Sequence, residues 1–578
     1  MLIQSLGWST GKSFSINQNF AADSYRGKRI RWSGWVRYTG LGGSDIGLYL
    51  SVEAPHQYTG VDDMSNRSLS GTSGWRQISS VLDVPANALG ITAGIVMAGG
   101  GTLTVDDMRL DVVGTDVPTT NTNTAPIPTY DDSAAVAAAY RLTGYAPTNL
   151  DFEGFPPPAQ SAIDWVGSVA TPITSTDPSA SSADLQPLKQ MVGNAHVVGL
   201  GEGTHGTREF FLMKHRIVEM LVQELGFRTF AIEATTPEAN DLNRYVLTGE
   251  GDPKLLLSRL YFWTWNTQEV LDMIEWMRGW NVQATPDQRV QFLGFDLQSP
   301  GESMDSVQAF ATRVRAPDSA YVAVRFNCMN PYRNHGAQLP ALQGAFYASK
   351  VSDDEKAACM AGLQEVYDLI ASDKTKYPSA APADTFDLRL HDARLVQQYE
   401  RMIATVNVTE NQLRDKYMAE NVDWIRTHRS ANGKVVLWAH NAHINSVPQF
   451  MGGYLRSMYG SDYVALGFMF AQGNFNAVGL NGEGLKEWRT TFIPSNSIEA
   501  IFAGTNKPGL LFNTHLIAGG GAAATPLAGP IGMRSIGSAF DNGADAAFFG
   551  PVTFPNTFDV LVYLQSTTAT RLLSTAAQ

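Results

Sequence analysis

His196-Val197-Val198-Gly199-Leu200-Gly201-Glu202-Gly203-Thr204-His205-Gly206 decides the fold of this chain. Its first half is a short apolar run bounded by glycine, as a strand buried on both faces of a sheet requires. A glycine-punctuated turn follows. Arg208 to Leu225 then carries Phe211, Ile217, Leu221 and Leu225 on one stripe, the pattern of an amphipathic helix that Gly226 stops. Strand, turn and helix in that order are the repeating unit of an α/β sheet. Arg228 to Ala234 reads as the next strand and Pro237 to Leu247 as the next helix. Glu269 to Trp280 is a further helix, and Val290 to Leu297 a further strand. Residues 335–430 hold long helical stretches with few strand signals, which predicts an inserted helical layer. Lys434 to Ala439 and Tyr463 to Phe470 return to strand; Ala546 to Val552 and Phe558 to Leu564 end the chain as strands. The expectation for residues 185–578 is an α/β domain, its mixed or parallel sheet covered by helices.

Residues 1–115 read differently. Short alternating runs such as Arg29 to Val36, Ile46 to Val52 and Leu103 to Leu110 are separated by Gly-rich turns, with no period of 3.6. An all-β sandwich or jelly roll of about eight strands is expected there. Residues 116–184 form a connecting segment. Val117 to Tyr130 is Thr/Asn/Pro-rich and is expected to be extended and mobile; Ala134 to Tyr140 reads as a short helix; Pro156-Pro157-Pro158 and Ser175 to Ser182 read as irregular.

The 578 residues allow two to four domains, and 44% hydrophobic residues against 17% charged exclude a disordered chain. No apolar run approaches the ~18 residues of a membrane span. A net charge of −13 argues against a nucleic-acid or anionic-membrane partner. Cys328 and Cys359, the two cysteines, cannot build a disulfide framework or a cysteine-rich zinc site, and are expected as buried thiols more than as a bridge. The opening residues lack the features of a secretion signal, so the compartment leans cytoplasmic, with export after removal of a leader left open.

In open α/β sheets ligands bind beyond the carboxyl ends of the strands. Glu202 and His205 follow the first strand, Glu233 ends the second, Asp296 the third, and His440 and His443 follow the fourth. Singly, each has a structural reading: Glu202 as a helix N-terminal carboxylate, His205 as a core histidine, Asp296 as a helix cap. Together they point to one cleft. Two chemistries suit it: water activation by a carboxylate-supported histidine, or a metal held by histidines and carboxylates. The His-x-x-His spacing falls on a strand-to-loop junction, no His-Glu-x-x-His occurs, and no Gly-x-Ser-x-Gly elbow offers a serine nucleophile. Metal-free and cofactor-free hydrolysis is therefore the leading expectation. Trp263 and Trp265 either wall a pocket for a large apolar ligand or anchor the sheet–helix interface. Tyr417, Met418 and Asn421 are expected to pack beneath the cleft.

The segments Gly201 to Phe210, Phe230 to Glu233, Phe262 to Thr267, Leu293 to Asp296, Arg414 to Asn421 and Trp438 to His443 resemble the erythromycin esterase family over residues 185–570. The resemblance implies hydrolysis of a small-molecule ester, in named members a macrolide lactone, without metal or serine nucleophile. It makes His205 the general base, with Glu202 and Glu233 orienting or charge-stabilising it. His440 and His443 would polarise the carbonyl or protonate the leaving alcohol. Where the family carries an arginine nine positions after the base, this chain has Lys214, with Arg208 nearby; both are expected at the substrate, as is Asp296. Gly203 stands where serine is frequent. Lyase, cyclisation or acyl-transfer chemistry on a secondary metabolite or polysaccharide would use the same groups. Residues 1–115, through Tyr25 to Arg29, Asp63 to Arg67, Gly74-Trp75, Leu82 to Pro85 and Val105 to Asp107, resemble a carbohydrate-binding jelly-roll module. A glycan is the partner implied, with Trp8, Trp35 or Tyr49 either stacking on it or filling the core. A third reading makes the jelly roll the working part and the α/β domain inert; the retained Glu202, His205, Glu233, His440 and His443 argue against it.

Overall fold

The structure is a computed structural model, and it describes residues 2–5, 13–42, 46–122, 126–128, 136–137, 140–141, 146–147, 150, 156–333, 346–405, 408–554 and 556–574. Trp8 and most of the Ala134 to Tyr140 stretch lie outside the described residues.

The N-terminal part is a sandwich of two antiparallel sheets. One runs Leu2–Ser5, Gly100–Val113, Arg29–Gly42, Gly71–Asp83 in spatial order; the other runs Ser13–Ala21, Gly90–Ala98, Ile46–Ala54, Gln57–Asp62, Ile127–Pro128. Alternation in Arg29–Gly42 sends Ile30, Trp32, Val36 and Tyr38 inward against Leu48, Leu50, Val52 and Ile91, while Trp35 and Arg37 face out. The segment after Val113 is extended, as expected, and where described it docks on the sandwich. Thr120 and Thr122 donate backbone N–H bonds to the carbonyls of Val81 (2.8 Å) and Val61 (2.9 Å), and Ile127–Pro128 adds an edge strand to Gln57–Asp62. Threonine side chains supply what composition hides, since Thr120 also donates to the buried Asp62 carboxylate.

The second part is built on a ten-stranded mixed sheet. Its path is Thr171–Pro172, Gly509–Asn513, Val560–Thr567, Tyr463–Gly479, Val197–Leu200, Val435–Trp438, Thr229–Thr235, Gln291–Asp296, with two further strands on Tyr463–Gly479. Six strands from Val560–Thr567 to Gln291–Asp296 are parallel; Gly509–Asn513 runs antiparallel to them, and Thr171–Pro172 pairs antiparallel with Gly509–Asn513. Alternate residues feed two cores. Val197, Ala231, Val435 and Leu437 point to one; Val198, Phe230, Ile232, Val436 and Trp438 point to the other. Arg208–Leu225 covers the second face with Phe211, Ile217 and Leu221 fully buried, each worth ~1.5–3 kcal/mol. Gly226 ends that helix at φ 71, a left-handed turn that costs glycine nothing. The opposite face carries Gly301–Val314 together with Asp353–Lys376, Ala383–Ile403 and Val408–His428, the last three forming the helical layer expected over residues 335–430.

Three expectations are corrected. Asn542–Phe548 is a 3-10 turn started by the Asp541 side chain, and strand begins only at Phe549. Tyr463 continues as strand to Gly479, nine residues past Phe470. Cys328 and Cys359 form a disulfide, their Cα atoms 5.7 Å apart, joining the end of Ala316–Phe326 to Asp353–Lys376. Composition carries no information on which helices lie side by side, and that adjacency makes the bridge.

Strand order places the chemistry. Val435–Trp438 is inserted between Val197–Leu200 and Thr229–Thr235, which precede it in sequence. Its carboxyl end therefore emerges between theirs, with Gln291–Asp296 one strand further out.

Candidate active site

Glu202 is fully buried at the end of the first strand and accepts three hydrogen bonds. His205 Nδ1 lies 2.6 Å from Oε1; Lys214 Nζ (2.6 Å) and Trp438 Nε1 (3.0 Å) donate to Oε2. A carboxylate so surrounded fixes the His205 ring and leaves its Nε2 for the cleft. Burial pushes the Lys214 ammonium down to about 8 while Glu202 opposes the shift; its Nζ also sits 4.4 Å over the Trp438 ring. The turn itself is pinned from outside: a Cβ on Gly206 would lie 2.0 Å from the Asn476 carbonyl oxygen, so only glycine fits.

His440 follows the inserted strand, its ring 5.1 Å from that of His205. Its backbone N–H donates to Glu233 Oε2 (3.0 Å), and its Nδ1 accepts from Ala442 N–H (3.1 Å). A ring that accepts at Nδ1 carries its proton on Nε2 when neutral. Burial, with His205 and His443 beside it, pushes His440 down to about 3, so it is a neutral donor at ordinary pH.

His443 sits in a charged cluster. Asp415 Oδ1 lies 2.8 Å from Nδ1, Glu233 Oε1 lies 3.3 Å from Nε2, and an Arg414 N–H is 3.0 Å from Nε2. The arginine suits a neutral ring; the carboxylates suit the imidazolium. Glu233 and Asp296 pair with the one guanidinium while Asp415 bonds His443 itself, so the cluster holds three carboxylates against one arginine and negative charge prevails. Burial pulls His443 down, but Asp415 and Glu233 overcome it and push the ring up to about 10. Glu233 shares the balance: burial would raise it, and the charges of His443 and Arg414 hold it well below the usual carboxylate range. Arg414 is the hinge of this cluster, bonded twice to Asp296 (3.0 and 2.8 Å) and once to Glu233 (2.7 Å).

His205, Glu233, His440 and His443 line one cleft of about 940 Å³. Trp263 and Trp265 form part of its wall, and both of their anticipated roles meet in Trp265, which is buried and donates its indole N–H to the Glu233 carbonyl (3.0 Å). Tyr261 in the same wall holds φ 60, a left-handed conformation that a bulky residue adopts only under constraint.

The erythromycin esterase sequence profile matches residues 222–567. The chain belongs to the erythromycin esterase family. Glu233, Asp296, Arg414, His440 and His443 fall inside the matched span, with Glu202 and His205 upstream of it. Erythromycin esterase type II of Escherichia coli is 25% identical over 342 residues, 54% of this chain and 78% of that protein. A solved succinoglycan biosynthesis protein superposes with a TM-score of 0.60 at 24% identity, over 72% of this chain and 98% of the other. The erythromycin esterase EreC, as a mutant in its open conformation, gives 0.54 at 17% identity, over 69% and 97%. As a member of the erythromycin esterase family, the protein is an ester hydrolase. Among the described residues no helix is long and apolar enough to cross a membrane.

Three residues expected at the substrate of this erythromycin esterase relative are elsewhere. Lys214 is fully buried under Glu202 and faces no open space. Asp296 is fully buried and serves Arg414. Arg208 points away from the cleft and pairs with Glu269 (3.2 Å); it is the first residue of its helix, so it lies on the outer side of the turn. Tyr417, Met418 and Asn421 do pack beneath the site, Asn421 donating to the Phe295 carbonyl (3.0 Å). Sequence reasoning missed Arg414 and Asp415 as site residues. Their signal was an adjacent opposite-charge pair on a helix whose next turn, Met418 and Asn421, had to be buried.

Proposed function

We propose that the protein hydrolyses a carboxylic ester or macrolactone by a water that His205 deprotonates, without a metal. The observation that carries this reading is the Glu202–His205 pair opening on the same cleft as a neutral His440 and a proton-rich His443. Glu202 holds Nδ1, so Nε2 takes the proton from water and Glu202 stabilises the imidazolium that results. His440, donating from Nε2, is suited to the carbonyl oxygen as negative charge develops there. His443, retaining its proton, is suited to give it to the leaving alkoxide, while Glu233 and Arg414 keep it in place. Lys214 acts from below by donating to Glu202 Oε2, which holds the carboxylate in place behind His205. Among the described residues no group of three or more His, Cys, Asp or Glu side chains is arranged to hold a metal ion.

The test is mass spectrometry on a panel of macrolides and simple esters, with and without chelator. A gain of one water, unaffected by chelator, is expected, with kcat falling as pH rises through about 10, where His443 loses its proton. Loss of activity in chelator, restored by a divalent ion, would replace this reading with a metal-dependent one.

We also propose that residues 1–115 form an accessory unit that binds a glycan. Trp35 and Trp75 are 41% and 44% exposed, and Trp35 pairs with Gln77 across the two neighbouring strands, which puts Trp35, Gln77 and Trp75 on one outer face. Exposed tryptophans on a flat sheet face suit sugar rings. Tyr49, on the other sheet, is half-buried and less suited. Replacing Trp35 and Trp75 together with Ala in the full chain should weaken retention on an insoluble polysaccharide at least tenfold. Failure of the wild type to bind any glycan on an array would remove the assignment.

A further inference from the structure

A second cavity of about 260 Å³ lies against the catalytic cleft, bounded on one side by Gly550, Pro551 and Val552. Ala442 and Phe450 line both spaces, so the two share a partition. Most polar groups in the smaller cavity's wall are already committed, the Ser535 hydroxyl and Arg534 Nε excepted. Asn441 exchanges hydrogen bonds with the Phe468 backbone (2.7 and 3.0 Å), Asn445 accepts from Val447 N–H (3.0 Å), and Thr557 donates to the Thr553 carbonyl (2.8 Å). Arg534 is buried and bonded to Asp545 (3.0 Å). What remains for an occupant is largely apolar surface, which selects apolar ligands. Phe450 itself follows Gln449 at φ 81, left-handed backbone in a non-glycine residue, so the partition is held by a constrained turn.

We infer that this cavity is a subsite for the alcohol half of the ester. The inference rests on the hydrolase reading above. Ala442 directly precedes His443, the group assigned to protonate the leaving oxygen, so a substituent on that oxygen lies nearest the Ala442–Phe450 partition. The volume admits a compact group of roughly eight or nine non-hydrogen atoms at ~30 Å³ each.

Two ester series test it: acetates of methanol through hexanol, and methyl esters of acetic through heptanoic acid. In the wild type, kcat/KM should rise about fourfold per methylene along the alcohol series, and little along the acyl series. Gly550→Phe should abolish the alcohol slope. A Cβ there meets no atom within 4 Å, so the backbone tolerates the side chain, and because Gly550 borders the cavity the ring is expected to close over it. Gly550→Ala should keep the slope, and Val552→Trp, one pleat along the same strand, should abolish it as Gly550→Phe does. A slope confined to the acyl series, or one that survives both blocking variants, overturns the inference. If no ester is turned over, the hydrolase reading fails separately. Calorimetry with 1-hexanol then decides the subsite: binding in wild type lost in Gly550→Phe upholds it, and no binding in wild type overturns it.

Discussion

His205→Ala is expected to lower kcat/KM by ~10²–10⁴ while leaving the thermal midpoint close to wild type. The loss is that of a positioned acid–base group. The fold survives because His205 stands on the turn after the first strand, and Glu202 keeps two of its three donors, Lys214 and Trp438, when the imidazole is removed. Glu202→Gln should separate the two parts of the arrangement. It retains the shape of the side chain but removes the charge that stabilises the imidazolium, and it leaves the Lys214 ammonium buried without a counter-ion. That variant should lose both rate and stability. The measurement is kcat/KM on the best ester of the panel beside a calorimetric melt. A His205→Ala enzyme with wild-type rate would take this residue out of the mechanism.

The sequence yields the scaffold because the α/β signal is local. An apolar run such as Val197–Leu200 and a stripe such as Phe211, Ile217 and Leu221 are each read within one element, and the helix from Arg208 to Leu225 lies where its periodicity puts it. The strand-end rule then brings Glu202, His205, Glu233, His440 and His443 together without any knowledge of strand order. It fails where the question is which way a side chain faces. Asp296 also ends a strand, yet it is buried beneath the cleft. Lys214 and Arg208 are two helical turns apart or nearly so, one entombed and the other half-open, and proximity along the chain could not separate them. Arg414 and Asp415 were in view as a motif but not as chemistry, because their partners, Glu233, Asp296 and His443, come from three other elements far along the chain. The Cys328–Cys359 bridge was hidden in the same way. Long-range adjacency of two helices is a tertiary fact, and composition weighs only the number of cysteines.

Arg414→Met is expected to cost more stability than any other single change in the cleft. The guanidinium is the shared cation for Glu233 and Asp296, both buried, and its removal leaves two carboxylates without it. Breaking one partner out of a buried ion pair typically costs about 3–5 kcal/mol, because the remaining charge is desolvated and uncompensated. The size of the deficit should depend on pH, and its sign follows from Glu233. In the wild type its pKa is depressed in the folded state, so it contributes stability above the ordinary carboxylate range that is lost as pH falls through the folded value. Without Arg414 the Glu233 carboxyl can escape the penalty by taking up a proton, which is easiest at low pH. The stability difference between wild type and Arg414→Met should therefore be smaller at pH 5 than at pH 8, measured by urea unfolding at each. Arg414→Lys should recover part of it, since an ammonium restores charge but not the paired bonds to Asp296. Activity should fall with Arg414→Met even where the protein is folded, because Glu233 then loses the partner that holds it against His443. A deficit that does not change between pH 5 and pH 8 would mean that packing, and not charge, is what Arg414 supplies.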